Sequence, residues 1–308
     1  MQGGSMFDET FAPQLKLFNH PAYPRHIFGE KIIPVNLELS VSGRCNEKCP
    51  KCFYVGRQTG AMIPVEFIVD IISKPKYRPL AITWSGGGEP SLHKQLPDFM
   101  DMAAMRRIHQ GLFTNYAKPA NVAFALLDWC RITVTENNIG KIGNTEAKKT
   151  GFNINYRGGI DNAIVGRALE VAKKEGVAYV QVRPALERGG ELTAVDMGDL
   201  YRYQDDPILK ITDYKFEDQG KYRPYSQCEG FHFVPFIWED GLVTACAYFR
   251  NPAYTIGNLN DDSWAEIVER IQSIKTLPIC DDCQTCCKNH EINKAIHFSR
   301  LLTDRNFL

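Results

Sequence analysis

The sequence lacks several features that would assign it to a class at once. It contains no run of 18 apolar residues, so no membrane-spanning helix is predicted. Its first residues, MQGGSM, have neither the basic nor the apolar region of a secretory signal peptide. Neither sign of charge is in excess, because Lys+Arg and Asp+Glu both number 36. We therefore expect a cytoplasmic protein with no membrane partner and no large nucleic-acid interface.

The composition is that of a folded chain of ordinary size. Of the 308 residues, 44% are hydrophobic and 23% are charged, which favours about two domains. Residues 1–33 show no clear periodicity and are predicted to form an extended N-terminal extension. Within it, residues 1–5 resemble an expression-vector remnant.

Cysteine is abundant and unevenly placed. Of the ten cysteines, three lie between Cys45 and Cys52, and six lie from Cys228 onward. A disulfide scaffold would be small and secreted, so clustered thiols here indicate metal ligands or redox groups. Cys130 stands alone between Trp129 and an apolar run, and we predict that it is a core thiol.

Predicted strands and helices alternate between residues 34 and 216. The predicted strands span 35–39, 80–84, 111–114, 131–135, 177–182 and 208–212, and helices are predicted after Pro64, over 96–109 and after Asp161. This alternation indicates an α/β parallel sheet, open or curled into a barrel, with its chemistry in the loops that follow the strands. Past residue 217 the alternation stops, and aromatic stretches, turns and one helix predict a smaller α+β domain over 217–308.

Two motifs follow the first two predicted strands. Cys45, Cys49 and Cys52 have the spacing CxxxCxxC. Three thiolates can hold three irons of a [4Fe–4S] cluster and leave the fourth iron open, whereas a structural zinc site takes four protein ligands. Ser85–Pro90 reads SGGGEP, in which glycines let backbone carbonyls approach a ligand ammonium without a Cβ clash.

Together these motifs resemble those of the radical S-adenosylmethionine (SAM) superfamily. The resemblance implies a partial (β/α)6 TIM-like barrel over 34–216, a [4Fe–4S] cluster on Cys45, Cys49 and Cys52, and SAM bound to the open iron. The SAM-binding residues that it implies are Gly86, Gly87, Gly88, Glu89, Asn115, Thr135, Glu136, Arg183 and Phe53. The chain departs from the family pattern at Tyr116, where the family often has glycine, and at Lys51, where it often has an aromatic residue.

The C-terminal cysteines resemble those of the SPASM/twitch subfamily, whose small domain binds auxiliary clusters. The resemblance implies one auxiliary [4Fe–4S] cluster on Cys228, Cys246, Cys280 and Cys283. Cys286 and Cys287 are spare thiols, a replacement for Cys283, or ligands of a second, less favoured auxiliary cluster. On spacing alone, a structural zinc site is the alternative for this segment.

The function implied by the resemblance is reductive cleavage of SAM to a 5′-deoxyadenosyl radical, which takes a hydrogen atom from a substrate. An auxiliary cluster that accepts an electron favours oxidation or rearrangement of a small molecule, with a flavodoxin- or ferredoxin-type electron donor. The alternatives are a peptide (RiPP) maturase or a tRNA-modifying enzyme. A non-enzymatic iron–sulfur electron carrier or a zinc-binding module is the alternative from another class. The 33 residues before the core leave no room for a leader-peptide domain, which disfavours a self-contained maturase. The sequence assigns no catalytic acid or base.

Overall fold

A computed structural model describes residues 13–49, 52, 54, 59–185, 196–212, 223–279, 283 and 288–301. Within these residues, ten strands form one sheet. Seven of them are parallel and follow one another in chain order across the sheet. They are β1 (Asn36–Ser40), β2 (Ala81–Ser85), β3 (His109–Thr114), β4 (Trp129–Thr133), β5 (Thr150–Tyr156), β6 (Tyr179–Pro184) and β7 (Leu209–Ile211). The predicted α/β fold with a parallel sheet is confirmed.

The remaining strands belong to the C-terminal part of the chain. They are β8 (Gln227–Cys228), β9 (Phe236–Ile237), β10 (Leu242–Thr244), β11 (Thr255–Asn258) and β12 (Leu277–Pro278). Strand β9 pairs in parallel with β1, and β10 and β11 continue the sheet in antiparallel fashion. The C-terminal hairpin therefore extends the sheet of the core. The predicted boundary at 216/217 lies outside the described residues, so the division into domains stays a prediction.

Three of the described helices lie on the crossovers of the parallel sheet. They are α3 (Val65–Ser73) after β1, α4 (Leu96–Met105) after β2 and α5 (Asn162–Lys174) after β5. Helix α3 forms because Ile68, Ile71 and Ile72 share one fully buried face, and it ends before Pro75. The β3–β4 and β4–β5 crossovers, which the structure describes throughout, contain only short 3-10 turns, and the three crossover helices lie where helices were predicted.

Four further helices pack around the C-terminal part: α1 (Pro13–Phe18), α2 (Ala22–Ile27), α6 (Trp264–Ser273) and α7 (Lys288–Leu301). The prediction of an extended N-terminal leader is wrong for its described part, which forms α1 and α2. These helices bury Leu17 and Tyr23 against Ile292 and Ile296 of α7, in a small second core. None of the described helices is long and apolar enough to cross a membrane.

Strand β5 is another element that the sequence pattern did not predict. Its sequence, TGFNINY, carries glycine and asparagine, which are depleted in strands. The structure nevertheless buries Phe152 and Ile154 on one face, while Asn153 and Asn155 alternate onto the other. Pairing with β4 and β6 on both sides outweighs the weak local propensity.

Candidate functional site

A cavity of about 390 Å³ lies at the carboxyl ends of the parallel strands. Residues at or near the ends of β1 to β6 form its wall, and aromatic side chains from the C-terminal part complete it. The strand residues that line it are Glu38, Ser85, Phe113, Thr114, Arg131, Thr133, Asn153, Asn155 and Arg183. The location is the one where ligands bind in parallel α/β folds.

Cysteines from both ends of the sequence border this one cavity. Cys49 and Cys52 line it on the side of the loop after β1, and Cys246 lines it on the side of the C-terminal hairpin. Burial raises the pKa of the Cys49 thiol, and the nearby Cys52 and Cys45 raise it further. The three loop thiols therefore lie close enough to repel one another when ionised, and a bound iron–sulfur cluster would supply the positive charge that relieves this repulsion.

The glycine motif packs directly on the cysteine loop. The Gly88 N–H donates to the Ser42 carbonyl at 2.9 Å, and the Glu89 N–H donates to the Arg44 carbonyl at 2.7 Å. A Cβ on Gly88 would lie 2.0 Å from the Arg44 carbonyl oxygen, far inside van der Waals contact. Glycine is therefore required at position 88 by the backbone of the cysteine loop, in addition to any approach of a ligand.

Glu89 is a buried carboxylate that joins the second and third strand ends. It accepts hydrogen bonds from the Ser91 N–H at 3.0 Å, from the Asn115 N–H at 2.6 Å and from the Thr114 hydroxyl. Burial raises the pKa of this carboxyl, and the hydrogen bonds oppose that rise. The side chain lines the cavity, where its acceptor oxygens suit a cationic ligand group.

Asn115 and Tyr116 begin the loop after β3, and this loop contacts the cysteine loop. Asn115 Nδ2 donates to Asn46 Oδ1 at 2.9 Å and lies 3.6 Å from the Cys45 sulfur. Tyr116 has φ +65°, the left-handed region that favours glycine. This conformation explains why the family pattern often has glycine at this position, and Tyr116 adopts it despite the steric cost.

The structure places the predicted SAM-binding residues in two groups. Among the described residues, Gly86, Gly88, Glu89, Asn115 and Arg183 line the cavity, and the Gly87 N–H donates to Ser40 Oγ at 2.9 Å. Thr135 and Glu136 are not among the described residues that line it. Thr135 donates its N–H to Asn138 Oδ1, and the exposed Glu136 pairs with Arg167 at 2.6 Å. Phe53 lies outside the described residues.

Thr133, Asn153 and Asn155 are among the cavity residues that the sequence reasoning missed. Arg183 Nε donates to Asn155 Oδ1 at 2.9 Å, and this oxygen also accepts from Asn153 Nδ2 at 3.3 Å. Because a guanidinium only donates, it fixes the orientation of both amides. The alternation of two asparagines with buried apolar residues was the signal that predicts one polar face of a strand.

The C-terminal thiols form the second cysteine site. Burial raises the pKa of Cys246 to about 12, and the nearby Cys228 and Cys283 contribute to that rise. Cys228 ends β8 and Cys246 follows β10, so strand ends position both. Cys280, Cys286 and Cys287 lie outside the described residues.

Both sites have donor sets made entirely of thiols. In the part of the chain that the structure describes, no group of three or more His, Cys, Asp or Glu side chains converges on a single metal ion. An iron–sulfur cluster does not require such convergence, because each thiolate binds its own iron. The described cysteines of both sites therefore fit such clusters.

Helix α7 connects the second cysteine site to the cavity. Lys288 Nζ donates to Glu38 Oε2 of β1 at 2.5 Å, and Asn289 Nδ2 donates to the Ala245 carbonyl at 3.0 Å. Both Lys288 and Asn289 line the cavity. The first turn of α7 thus forms a polar wall between the core sheet and Cys246.

Comparison with known families identifies the C-terminal part. Residues 228–287 match the family model of SPASM, described as an iron–sulfur cluster-binding domain. The predicted auxiliary iron–sulfur domain is confirmed by this match. No curated protein matches the sequence significantly.

Solved structures of proteins that bind S-adenosylmethionine share the fold. Streptococcus suis SuiB bound to S-adenosylmethionine is similar with a TM-score of 0.54 at 15% identity, over 77% of this chain and 64% of SuiB. SuiB bound to the precursor peptide SuiA gives a TM-score of 0.56 at 15% identity, over 77% of this chain and 64% of that one. anSMEcpe with bound AdoMet gives 0.53 at 16% identity, over 85% of each chain. This chain spans about 64% of the length of SuiB.

The chain therefore shares the fold of these SAM-bound structures, and its residues 228–287 match the SPASM domain. This confirms the resemblance drawn from the motifs at Cys45–Cys52 and Gly86–Pro90 and from the C-terminal cysteines.

Proposed function

We propose that this protein is a radical SAM enzyme that abstracts a hydrogen atom from a substrate and passes an electron to an auxiliary cluster. The observation that carries the proposal is a cavity bordered by Cys49 and Cys52 on one side and by Cys246 on the other. An electron carrier has no need of a cavity of this kind between two cysteine sites. The arrangement suits a substrate held between two redox groups.

The residues divide between three ligands. Cys45, Cys49 and Cys52 would hold one [4Fe–4S] cluster, and the auxiliary [4Fe–4S] cluster would be held by Cys228, Cys246, Cys280 and Cys283. SAM would bind against Gly86–Glu89, Asn115 and Arg183, with Thr135, Glu136 and Phe53 as further contacts to test. Cys286 and Cys287 remain alternative ligands. An electron donor of flavodoxin or ferredoxin type and a cytoplasmic location complete the proposal.

The bound cluster and SAM together supply a 5′-deoxyadenosyl radical, and the protein contributes binding, orientation and exclusion of solvent. Glu89 and the glycine backbone offer acceptors to the ammonium group of SAM. Arg183, held by Asn155, offers a guanidinium to its carboxylate. The wall formed by Lys288 and Asn289 keeps the substrate beside Cys246.

A small molecule bearing hydroxyl or amino groups is the substrate class that we favour. The asparagine amides of Asn153, Asn155 and Asn289 line the cavity and could form hydrogen bonds with such groups. A peptide is the second candidate, because SuiB was solved with its precursor peptide and anSMEcpe with the Cp18Cys peptide. A peptide would enter this cavity with one side chain. A tRNA substrate is less favoured because the chain has no net charge.

The proposal is tested by anaerobic reconstitution with iron and sulfide, followed by addition of dithionite and SAM. We expect roughly eight irons per chain from two cubanes, and release of 5′-deoxyadenosine. Zinc as the only bound metal, or competent clusters that release no deoxyadenosine, would contradict the proposal.

The substrate class is tested on the same preparation. Small polyols and amino alcohols are compared with short peptides for their ability to raise the rate of deoxyadenosine release. Stimulation by the small molecules alone supports the favoured class, whereas stimulation by peptides alone would replace it with the second candidate.

A further inference from the structure

Helix α7 carries two buried asparagines one turn apart. One of them contacts the segment that leads to Cys246, and the other contacts the segment around Cys228. Asn289 and Asn293 are both 4% exposed. Asn289 binds the carbonyl of Ala245, the residue before Cys246, and Asn293 contacts the segment around Cys228. The spacing of four places both on one face of the helix. The pair therefore holds the two cysteine segments against the same helix.

The amide of Asn293 has only one orientation that satisfies its neighbours. Its Oδ1 accepts from the backbone N–H groups of Glu229 at 2.8 Å and Gly230 at 2.9 Å. A backbone N–H only donates, so the oxygen must face these two groups. The Nδ2 group is thereby turned toward Cys228, and it lies 3.3 Å from the sulfur.

The segment around Cys228 is also held through the side chain of Glu229, the next residue. Arg300 of α7 donates to Glu229 at 2.8 Å, and His26 of α2 lies 2.9 Å from the same carboxylate. A Cβ on Gly230 would lie 2.7 Å from the Asn289 Cβ, so the backbone there already touches α7. The contact between Asn293 and the sulfur is therefore part of a rigid arrangement.

We propose that Asn293 sets the reduction potential of the auxiliary cluster by donating a hydrogen bond to the Cys228 sulfur. This inference rests on the proposed function, in which Cys228 is a cluster ligand. A one-electron reduction adds negative charge to the cluster and its sulfurs, so a fixed N–H donor stabilises the reduced state more than the oxidised state. Asn293 raises the potential and favours the cluster as an electron acceptor. It is a positioning residue that acts through the sulfur.

The test uses the full chain with Cys45, Cys49 and Cys52 replaced by alanine, so that only the auxiliary cluster gives a signal. An EPR-monitored titration with dithionite measures the midpoint potential of this protein and of its Asn293→Ala variant. A hydrogen bond to a charged group that changes the redox equilibrium about tenfold corresponds to about 59 mV for one electron. We expect the potential of Asn293→Ala to fall by about that amount.

Asn289→Ala is the matched control, because it removes the same side chain one turn earlier without removing a donor to sulfur. We expect its redox equilibrium to change by less than about threefold, since its partner is a carbonyl. Asn293→Asp is the second variant: it keeps an acceptor for both backbone N–H groups and replaces the donor by a charge, so it lowers the potential further.

Iron content separates the outcomes. An unchanged potential in Asn293→Ala with roughly four irons per chain would overturn the inference and leave the proposed function intact. Retention of those irons in Cys228→Ala would instead overturn the ligand set on which both rest. Loss of iron from both Asn293 variants would assign this residue a purely structural role, which also overturns the inference.

Discussion

The two cysteine sites present the same donor atom in opposite settings. Cys45 is exposed on the loop after β1, and two backbone hydrogen bonds join the described part of this loop to the glycine motif. Cys228 and Cys246 lie at strand ends beneath α7, whose asparagines contact both segments. The first setting suits a cluster with one iron open to a small ligand, and the second suits a cluster that helix α7 holds on one side. Surroundings, more than ligand type, distinguish the two sites.

The largest effect on this comparison is expected from Gly88→Ala, on the loop side. The added Cβ would lie 2.0 Å from the Arg44 carbonyl oxygen, so the cysteine loop must move by more than 1 Å to a normal contact. We expect a loss of SAM cleavage of about 100-fold, because misplacement of that size has such a cost. Measurement of deoxyadenosine release checks this.

Gly140→Ala serves as its control, since a Cβ there meets nothing within 4 Å. Equal activity of the Gly88 and Gly140 variants would show that the packing of the two loops does not control the site.

A smaller effect is expected on the C-terminal side from acidification. Burial and the neighbouring His26 lower the pKa of His232 to about 4. Since the folded state binds this proton less readily than the unfolded state, stability present at pH 7 is lost as the pH falls from about 6.5 towards 4. We expect about 2 kcal/mol less stability at pH 5 than at pH 7, measured by anaerobic denaturant unfolding.

His232→Gln, which keeps a donor for the Lys275 carbonyl, should flatten this dependence. Replacement of His109, whose side chain is 74% exposed, is the control. Burial alone would raise the pKa of Glu229, but His26 and Arg300 hold it at about 2, so its contribution is lost only below pH 4.5. A slope that survives in His232→Gln would contradict the assignment.

The smallest effect is expected at Tyr116, on the loop side. Its φ of +65° costs about 1 kcal/mol for any residue with a Cβ. Its ring also packs on Phe124, with centroids 5.9 Å apart, so removal of the side chain has a cost of its own. Comparison of Tyr116→Gly with Tyr116→Ala separates the two, because both lose the ring and only glycine relieves the strain. We expect the glycine variant to be about 1 kcal/mol more stable by thermal unfolding, and equal stabilities would exclude strain.

The sequence predicted the parts of the site that lie on short, local motifs. The cysteine motif and the glycine motif each span a few residues that follow a strand. Residues of both motifs line the cavity. Strand β5 was missed because its asparagines and glycine oppose local strand propensity, and Asn153 and Asn155 were missed with it. Thr133 lines the cavity, and it lies two residues before the predicted Thr135, a spacing that keeps both residues on one face of an extended strand.

Contacts between distant residues were beyond sequence reasoning. The bond from Asn293 to Cys228 joins residues 65 positions apart, and that from Lys288 to Glu38 joins residues 250 apart. No spacing rule links such positions, because long-range contacts such as the pairing of β9 with β1 bring the C-terminal part onto the core. Gly88 was recognised by its motif, but its contact with the Arg44 backbone emerges only in three dimensions.

The central claim is that SAM binds at the site of Cys45, Cys49 and Cys52 and not at the site of Cys228 and Cys246. The direct measurement is the EPR spectrum of the dithionite-reduced protein with and without SAM, in two variants. One variant lacks Cys45, Cys49 and Cys52, and the other lacks Cys228 and Cys246. We predict that SAM changes the spectrum only where Cys45, Cys49 and Cys52 are present; a change in the variant that lacks them would contradict the account.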